Sequence, residues 1–321
     1  MAKEAEPRKH HYVPQYYLRN FVGEKDMLLV FDRQTKEPYR SKPHGVAAQR
    51  DFNRIEVEGL EVNAVEKLMA EFEGETAPHL TNVIERMSLA DEKDRSAIVN
   101  LMAAMTIRNP KRRKEMSGAM DRATRHLLGK TERYDAYVAK MKAAGKQPEF
   151  SLRELRNELK NTNFAPSKEG IMAAEIDQHD HVTELLWNKK WQVMVASDDS
   201  GGFVTTDDPV TIRWTDGQEH ADRPGIADPN SEIVFPLSTM LTLRGRPEGA
   251  EGVVTADAAM VAEINDQIIA GASRQVFAYN HSFKFARGEE QRSGATLNQD
   301  EQFLQQKKPA GDSKVVALKA N

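Results

Sequence analysis

Leu185-Leu186-Trp187-Asn188-Lys189-Lys190-Trp191-Gln192-Val193-Met194-Val195-Ala196 is where the chain changes character. Up to Trp187 apolar residues recur at helical spacing. From Trp191 the run WQVMVA is short, apolar and rich in β-favouring residues, as a buried strand should be. Working back from this junction, helical periodicity extends to Leu60. Val62, Val65, Leu68, Met69 and Phe72 share one face, and Pro78 divides them from Leu80, Val83, Ile84 and Met87. Asp91 is placed to cap a helix bearing Ile98, Leu101, Met102, Met105 and Ile107. Pro110 forces a kink or restart there. Further helices are expected over Lys111–Leu128, Arg133–Ala144 and Leu152–Lys160, and from Pro166-Ser167 to Trp187.

Outside this block the pattern is that of strands. Met27–Asp32 (MLLVFD), a weaker return strand Pro38–Ser41 and the alternating Phe52–Val57 lie on the N-terminal side. Phe203–Thr206, Val210–Trp214 and Gln275–Tyr279 lie on the C-terminal side, with a loop over Gly217–Asn230. Ile233–Leu243 is apolar, but Pro236 bars it from forming one central strand. Thr255 or Asp257 caps a helix carrying Met260, Val261, Ile264, Ile268 and Ile269. The expected architecture is α+β: a mixed sheet built from N- and C-terminal strands with a large helical insertion over about 60–187. A single domain should span 10–288, followed by a polar, partly disordered tail over 289–321.

Composition narrows the chemistry. In 321 residues there is no Cys, which excludes disulfides, thiolate catalysis and Cys-bound metal centres. No run approaches the roughly 20 apolar residues of a membrane span, and MAKEAEPRKHHY lacks the apolar segment of a secretory signal. A cytoplasmic protein with no membrane partner is the expectation. The net charge of −4 is unevenly spread. Between Arg108 and Lys130 eight Lys/Arg face two Asp/Glu; between Asp198 and Asp266 fourteen Asp/Glu face four Lys/Arg. The basic helix can meet nucleic acid or a nucleotide, or the two segments can neutralise each other inside the fold. Aromatic residues are missing from 108–130, which argues against sequence-specific DNA binding.

The most unusual stretch is His10-His11-Tyr12-Val13-Pro14-Gln15-Tyr16-Tyr17-Leu18-Arg19-Asn20-Phe21. It gathers donors and acceptors on a turn set by Pro14. Because the two His side chains of an extended segment point opposite ways, one faces inward and one outward. HHYVPQxYLxxF near an N-terminus resembles the prokaryotic family catalogued as domain of unknown function 4238. The MLLVFDRQTKEP hairpin, Arg108-Asn109-Pro110, Phe203-Val204-Thr205-Thr206-Asp207-Asp208-Pro209-Val210, IVFPLS and QVFAYN fit the same family over about residues 10–280. The resemblance carries no settled activity, and some members look like stand-alone anti-phage defence proteins. Where this chain has Thr206-Asp207-Asp208-Pro209, members of the family more often carry Ser-Asp-Asn-Pro, so the chain departs at the first and third residues of that motif.

Two functional readings follow. In the first, the chain is a nuclease-like or phosphate-ester-processing hydrolase. His10 or His11 serves as acid or base, Asp207 orients the imidazole or binds a divalent ion, and Arg108 and Arg112 neutralise phosphate, with Tyr12, Gln15 and Asp208 contacting substrate. No cofactor is required beyond that divalent ion. In the second, a non-catalytic sensor or interaction module uses the same residues to lock the N-terminal turn to the sheet. Asp177, His181 and Glu184 share a helix face at i, i+4, i+7, but the spacing is not that of a zinc protease helix. No P-loop, dinucleotide fingerprint, nucleophile elbow or kinase set occurs.

Overall fold

The structure, a computed structural model, describes residues 8–305 apart from 36, 217, 219, 221 and 222. It opens with β1 (Lys9–His11) and a turn of helix, α1 (Gln15–Leu18), followed by β2 (Leu28–Asp32), β3 (Tyr39–Ser41) and β4 (Ala48–Arg50). The helical block comprises α2 (Ala64–Arg86), α3 (Glu92–Ile107), α4 (Pro110–Leu128), α5 (Thr131–Ala143), α6 (Leu152–Asn161) and α7 (Lys168–Trp187). The C-terminal part runs through β5 (Lys190–Ala196), β6 (Thr205–Thr206), β7 (Thr211–Trp214), β8 (Ser231–Pro236), β9 (Leu241–Arg246) and β10 (Gly252–Ala256). It ends with α8 (Ala258–Gly271), β11 (Gln275–Ala278), β12 (Lys284–Arg287), β13 (Glu290–Ser293) and α9 (Glu301–Leu304).

The strands of the two chain ends do share a sheet. Its order is β3-β2-β11-β6, with β11 inserted antiparallel between β2 and β6. A second sheet, β10-β5-β9-β8-β7, is drawn from the C-terminal part alone and is mixed, since β10 pairs parallel with β5 while the rest alternate. Alternation along the strands divides the interior. Leu28, Val30, Trp191, Val193, Phe235 and Phe277 face a core shared with α2, α3 and α7. Leu29, Phe31, Met194, Val234 and Val276 face a second core under α8, built on Val261, Ile264 and Ile268. Strands covered on both faces read as continuous apolar runs, which is why MLLVFD and WQVMVA stand out in the sequence.

Local signals set most helix ends. Asp91, Asn109, Ser151, Ser167 and Asp257 each accept backbone N–H bonds at their helix starts. Three expectations are corrected. Pro78 does not divide two helices: α2 runs through it, because the amide that Pro lacks would have bonded only Gly74, and Leu80 and Val83 are wholly buried against the core. Phe52–Val57 is a turn followed by irregular chain and not a strand; Phe52 and Ile55 are buried, but β4 ends before them. The folded domain also continues past Gly288. β13 pairs with β12, and Leu297 and Phe303 enter the α8 core. The remainder of the expected tail, 306–321, lies outside the described residues.

Candidate functional site

The opening segment is fixed from several sides. His10 is fully buried on β1 and its Nδ1 accepts the Asn53 backbone N–H at 2.8 Å. Glu66 Oε2 lies 3.9 Å from the same nitrogen. Asn53 also donates from Nδ2 to Glu66 and accepts at Oδ1 from Arg108 Nη2, 2.9 Å away. The inward His therefore belongs to a buried network joining β1 to α2 and to the end of α3. Tyr17, wholly buried, bonds Thr205 Oγ1 at 2.6 Å and donates to the Pro236 carbonyl at 2.8 Å, pinning α1 to both sheets.

His11 points outward. Its Nε2 lies 3.3 Å from the His44 carbonyl, which can only accept, so Nε2 carries the proton and Nδ1 is the basic atom. The Gln15 amide donates toward Nδ1 at 3.5 Å, so Gln15 orients the imidazole. Burial lowers the His11 pKa, against the His44 contact, and keeps the ring neutral at pH 7. His11 and Tyr12 line a narrow cleft with Glu73, Arg108 and the apolar side chains of Met69, Phe72, Leu101 and Met105. Its free volume is about 10 Å3, room for one water. Burial raises the Glu73 carboxyl to about 7, although Arg108 opposes the shift. Burial lowers Arg108 to about 10, which leaves it charged at neutral pH, with Glu175, Glu66 and Glu73 in its field.

The expected meeting of Asp207 with this cleft does not occur. Asp207 is buried, and its Oδ1 accepts the Ser273 and Arg274 backbone N–H groups at 2.8 and 3.1 Å. Its backbone carbonyl accepts Asn109 Nδ2 at 3.0 Å, so Asn109 both caps α4 and ties it to the strand-end motif. Burial pushes the Asp207 carboxyl up to about 6 despite those donors. Asp208 is buried too; its carboxyl is raised by burial, against the fields of Arg112 and Lys111, and Lys111 Nζ lies 4.0 Å away. Tyr12 links the regions: burial and the fields of Asp207 and Asp208 raise its hydroxyl pKa. Arg112 is exposed and lies 4.0 Å from Glu115, outside the cleft. Thus His11, Tyr12 and Arg108 come together, Gln15 supports His11, and His10, Asp207 and Asp208 hold the frame.

The basic helix is largely answered within the chain. Arg113 makes a two-pronged pair with Glu175, at 2.5 and 2.7 Å, and stacks 3.6 Å from the centre of the Phe52 ring. Arg125 pairs with Asp121 and donates to the Leu159 and Thr162 carbonyls. Among the described residues no three His, Asp or Glu side chains are grouped to hold a metal ion, Asp177, His181 and Glu184 included. No helix among them is long and apolar enough to cross a membrane. Glu73 and Asn53 were not legible in the sequence. Glu73 lies in the acidic run AEFEGET, where nothing separates it from its exposed neighbours.

One family profile matches residues 9–282, the span from β1 to the segment after β11. The chain belongs to the family described as Protein of unknown function (DUF4238). No curated protein and no solved structure matches this DUF4238 chain. Within the matched span the opening segment, Arg108-Asn109-Pro110 and the strand-end acids of this chain are joined through Tyr17, Asn109 and Asp207.

Proposed function

We propose that this DUF4238 protein is a hydrolase of phosphodiester or nucleotide substrates, acting at the cleft of His11, Glu73 and Arg108. One observation carries the reading: a neutral imidazole, a carboxyl titrating near 7 and a guanidinium line the same cleft, which has room for the attacking water and has to widen to admit the phosphoryl group. His11 Nδ1 takes a proton from that water as the oxygen attacks phosphorus. Glu73, half protonated at neutral pH, passes its proton to the leaving oxygen. Arg108 neutralises charge on the non-bridging oxygens. Gln15's long contact is one that a water can replace. The family resemblance supports a cytoplasmic effector of anti-phage defence in a prokaryote, to be tested by phage plating efficiency with and without His11→Ala.

The non-catalytic reading has its own support, since Arg108 is bonded to Asn53 and through it to buried His10. The experiment that separates the two measures hydrolysis of bis-p-nitrophenyl phosphate and of labelled RNA and DNA, with Tm followed alongside. His11→Ala and Glu73→Gln should each lower kcat about 100-fold or more with Tm nearly unchanged. Activity should fall on the acid side as His11 protonates, at a pH below the ordinary imidazole range because burial lowers it, and above about pH 7 as Glu73 ionises; Glu73→Gln should remove the alkaline limb. Absence of turnover on every substrate, with several degrees lost in His11→Ala, would leave the structural reading standing.

A further inference from the structure

Within the acidic stretch Asp198–Asp266, three of the four Lys/Arg residues gather at one point of the five-stranded sheet. Arg213 on β7 and Arg246 on β9 flank Glu232 on β8, whose side chain is fully buried. Arg213 Nε and Nη2 lie 3.0 and 2.9 Å from Glu232 Oε1, and Arg246 Nε and Nη2 lie 2.7 and 2.5 Å from Oε2. Each carboxylate oxygen thus accepts one guanidinium Nε–H and has a second guanidinium nitrogen within ion-pair distance. Arg244, one alternation along β9, is left at 4.0 Å from Glu232 and instead donates to Gln192 Oε1 at 2.6 Å. Burial lowers its pKa, with the fields of Arg246 and Arg213 adding to the shift and that of Glu232 opposing it. Lys190 on β5 is in register with Arg246 and exposed. Its neighbour Glu251 is itself held by Arg95.

We propose that this row, Arg213, Arg244, Arg246 and Lys190, is a docking surface for the phosphate backbone of nucleic acid. Four cations against one internal carboxylate leave a local charge of about +3 on a protein whose net charge is −4. Arg213 and Arg246 remain 45% and 44% exposed, so their outer N–H groups face solvent while Glu232 fixes the planes of both guanidiniums. Strand spacing sets the row's length: β7 to β5 is three steps, about 14 Å. The exposed cations Arg213, Arg246 and Lys190 lie in a row across the strands, with Arg244, 16% exposed, set behind them, which suits a chain of repeating phosphates better than a single one. No base-stacking side chain belongs to the row, so binding should be indifferent to sequence and steeply dependent on salt. The surface lies on the α8 side of the sheet, opposite the core shared with α2 and α3, and is independent of the hydrolase reading.

The test is fluorescence anisotropy of the full chain with labelled 16-nucleotide single strands and duplexes of two sequences, between 50 and 200 mM salt. The wild type should bind both sequences alike, with log K falling with log salt at a slope of about −2 to −3 for single strands and about −3 to −4 for duplexes, as expected for three to four phosphate contacts. Lys190→Glu touches no buried partner; it should weaken binding about tenfold at low salt and flatten the slope by about one. Glu232→Gln, if it folds, should act in the opposite direction and tighten binding. Lys114→Glu, a same-size charge change on α4, should leave binding unchanged. No binding at 50 mM salt would overturn the proposal. So would equal affinity of Lys190→Glu and wild type, or loss of binding in Lys114→Glu alone. Complete competition by tripolyphosphate at equal phosphate concentration would reassign the site to small polyphosphates and overturn the polymer part.

Discussion

Replacing Asp207 by Ala should unfold the protein more readily without a primary effect on chemistry. The carboxylate accepts two backbone N–H groups, from Ser273 and Arg274, at the turn that leads into β11. Each amide left without a partner costs about 1–3 kcal/mol, so the pair should cost roughly 2–6 kcal/mol below about pH 6, where the carboxyl is protonated and no buried charge offsets the loss. In a domain of this size that is a fall in Tm of roughly 5–10 °C. Asp207→Asn keeps an acceptor oxygen and removes the charge. The carboxyl is raised from 3.8 to about 6 in the fold, so the protonated form is the favoured one there. Wild-type stability from this group is therefore fully present below about pH 4 and lost as pH rises through about 6. The shift of about two units corresponds to roughly 3 kcal/mol as an upper bound. The difference between wild type and Asp207→Asn, followed by urea denaturation from pH 4 to 8, should thus move in favour of Asn across that window. An Asp207→Ala protein with unchanged Tm and no hydrolysis would refute the reasoning and return Asp207 to the reaction.

Further outcomes are open to measurement. Arg113→Ala strands the Glu175 carboxylate, only 5% exposed, and should cost about 3–5 kcal/mol; a joint Arg113→Met/Glu175→Leu variant should recover much of it, read from urea midpoints. Gly201→Ala should be poorly folded, because the backbone there has φ +77° and an added Cβ would sit 2.0 Å from the Ser282 carbonyl oxygen. Gln15→Ala frees His11 Nδ1 from its donor while keeping the Nε2 contact, so the acid limb of any pH–rate profile should move with little change in Tm.

Much of the fold was legible because its signals are local. The caps at Asp91, Ser151 and Ser167, the restart at Pro110 and the hairpin after Asp32 each rest on neighbours a few residues away. Pro78 misled because burial of Leu80 and Val83 outweighs one missing hydrogen bond. Phe52–Val57 misled because its alternation serves burial of Phe52 and Ile55 in a turn and the irregular chain after it, with Arg113 laid over the Phe52 ring. The site was half visible. His11, Tyr12 and Arg108 announce themselves by type and context, whereas Glu73 acquires its raised pKa only from the apolar cleft that the fold builds around it. Asp207 looked like a reacting group because a buried carboxylate at a strand end can serve chemistry or backbone equally well; only the Ser273 and Arg274 amides decide which.

The insertion of β11 between β2 and β6 has a consequence for biosynthesis. Gln275 meets Asp32 across 243 residues, so β2 has no sheet partner on that side until nearly the whole chain has left the ribosome. At about 5–20 residues per second, the apolar Leu28–Phe31 segment waits roughly 12–50 s for its neighbour. Nascent chains of this protein should therefore depend on a holding chaperone, and truncations ending before Gln275 should aggregate during translation.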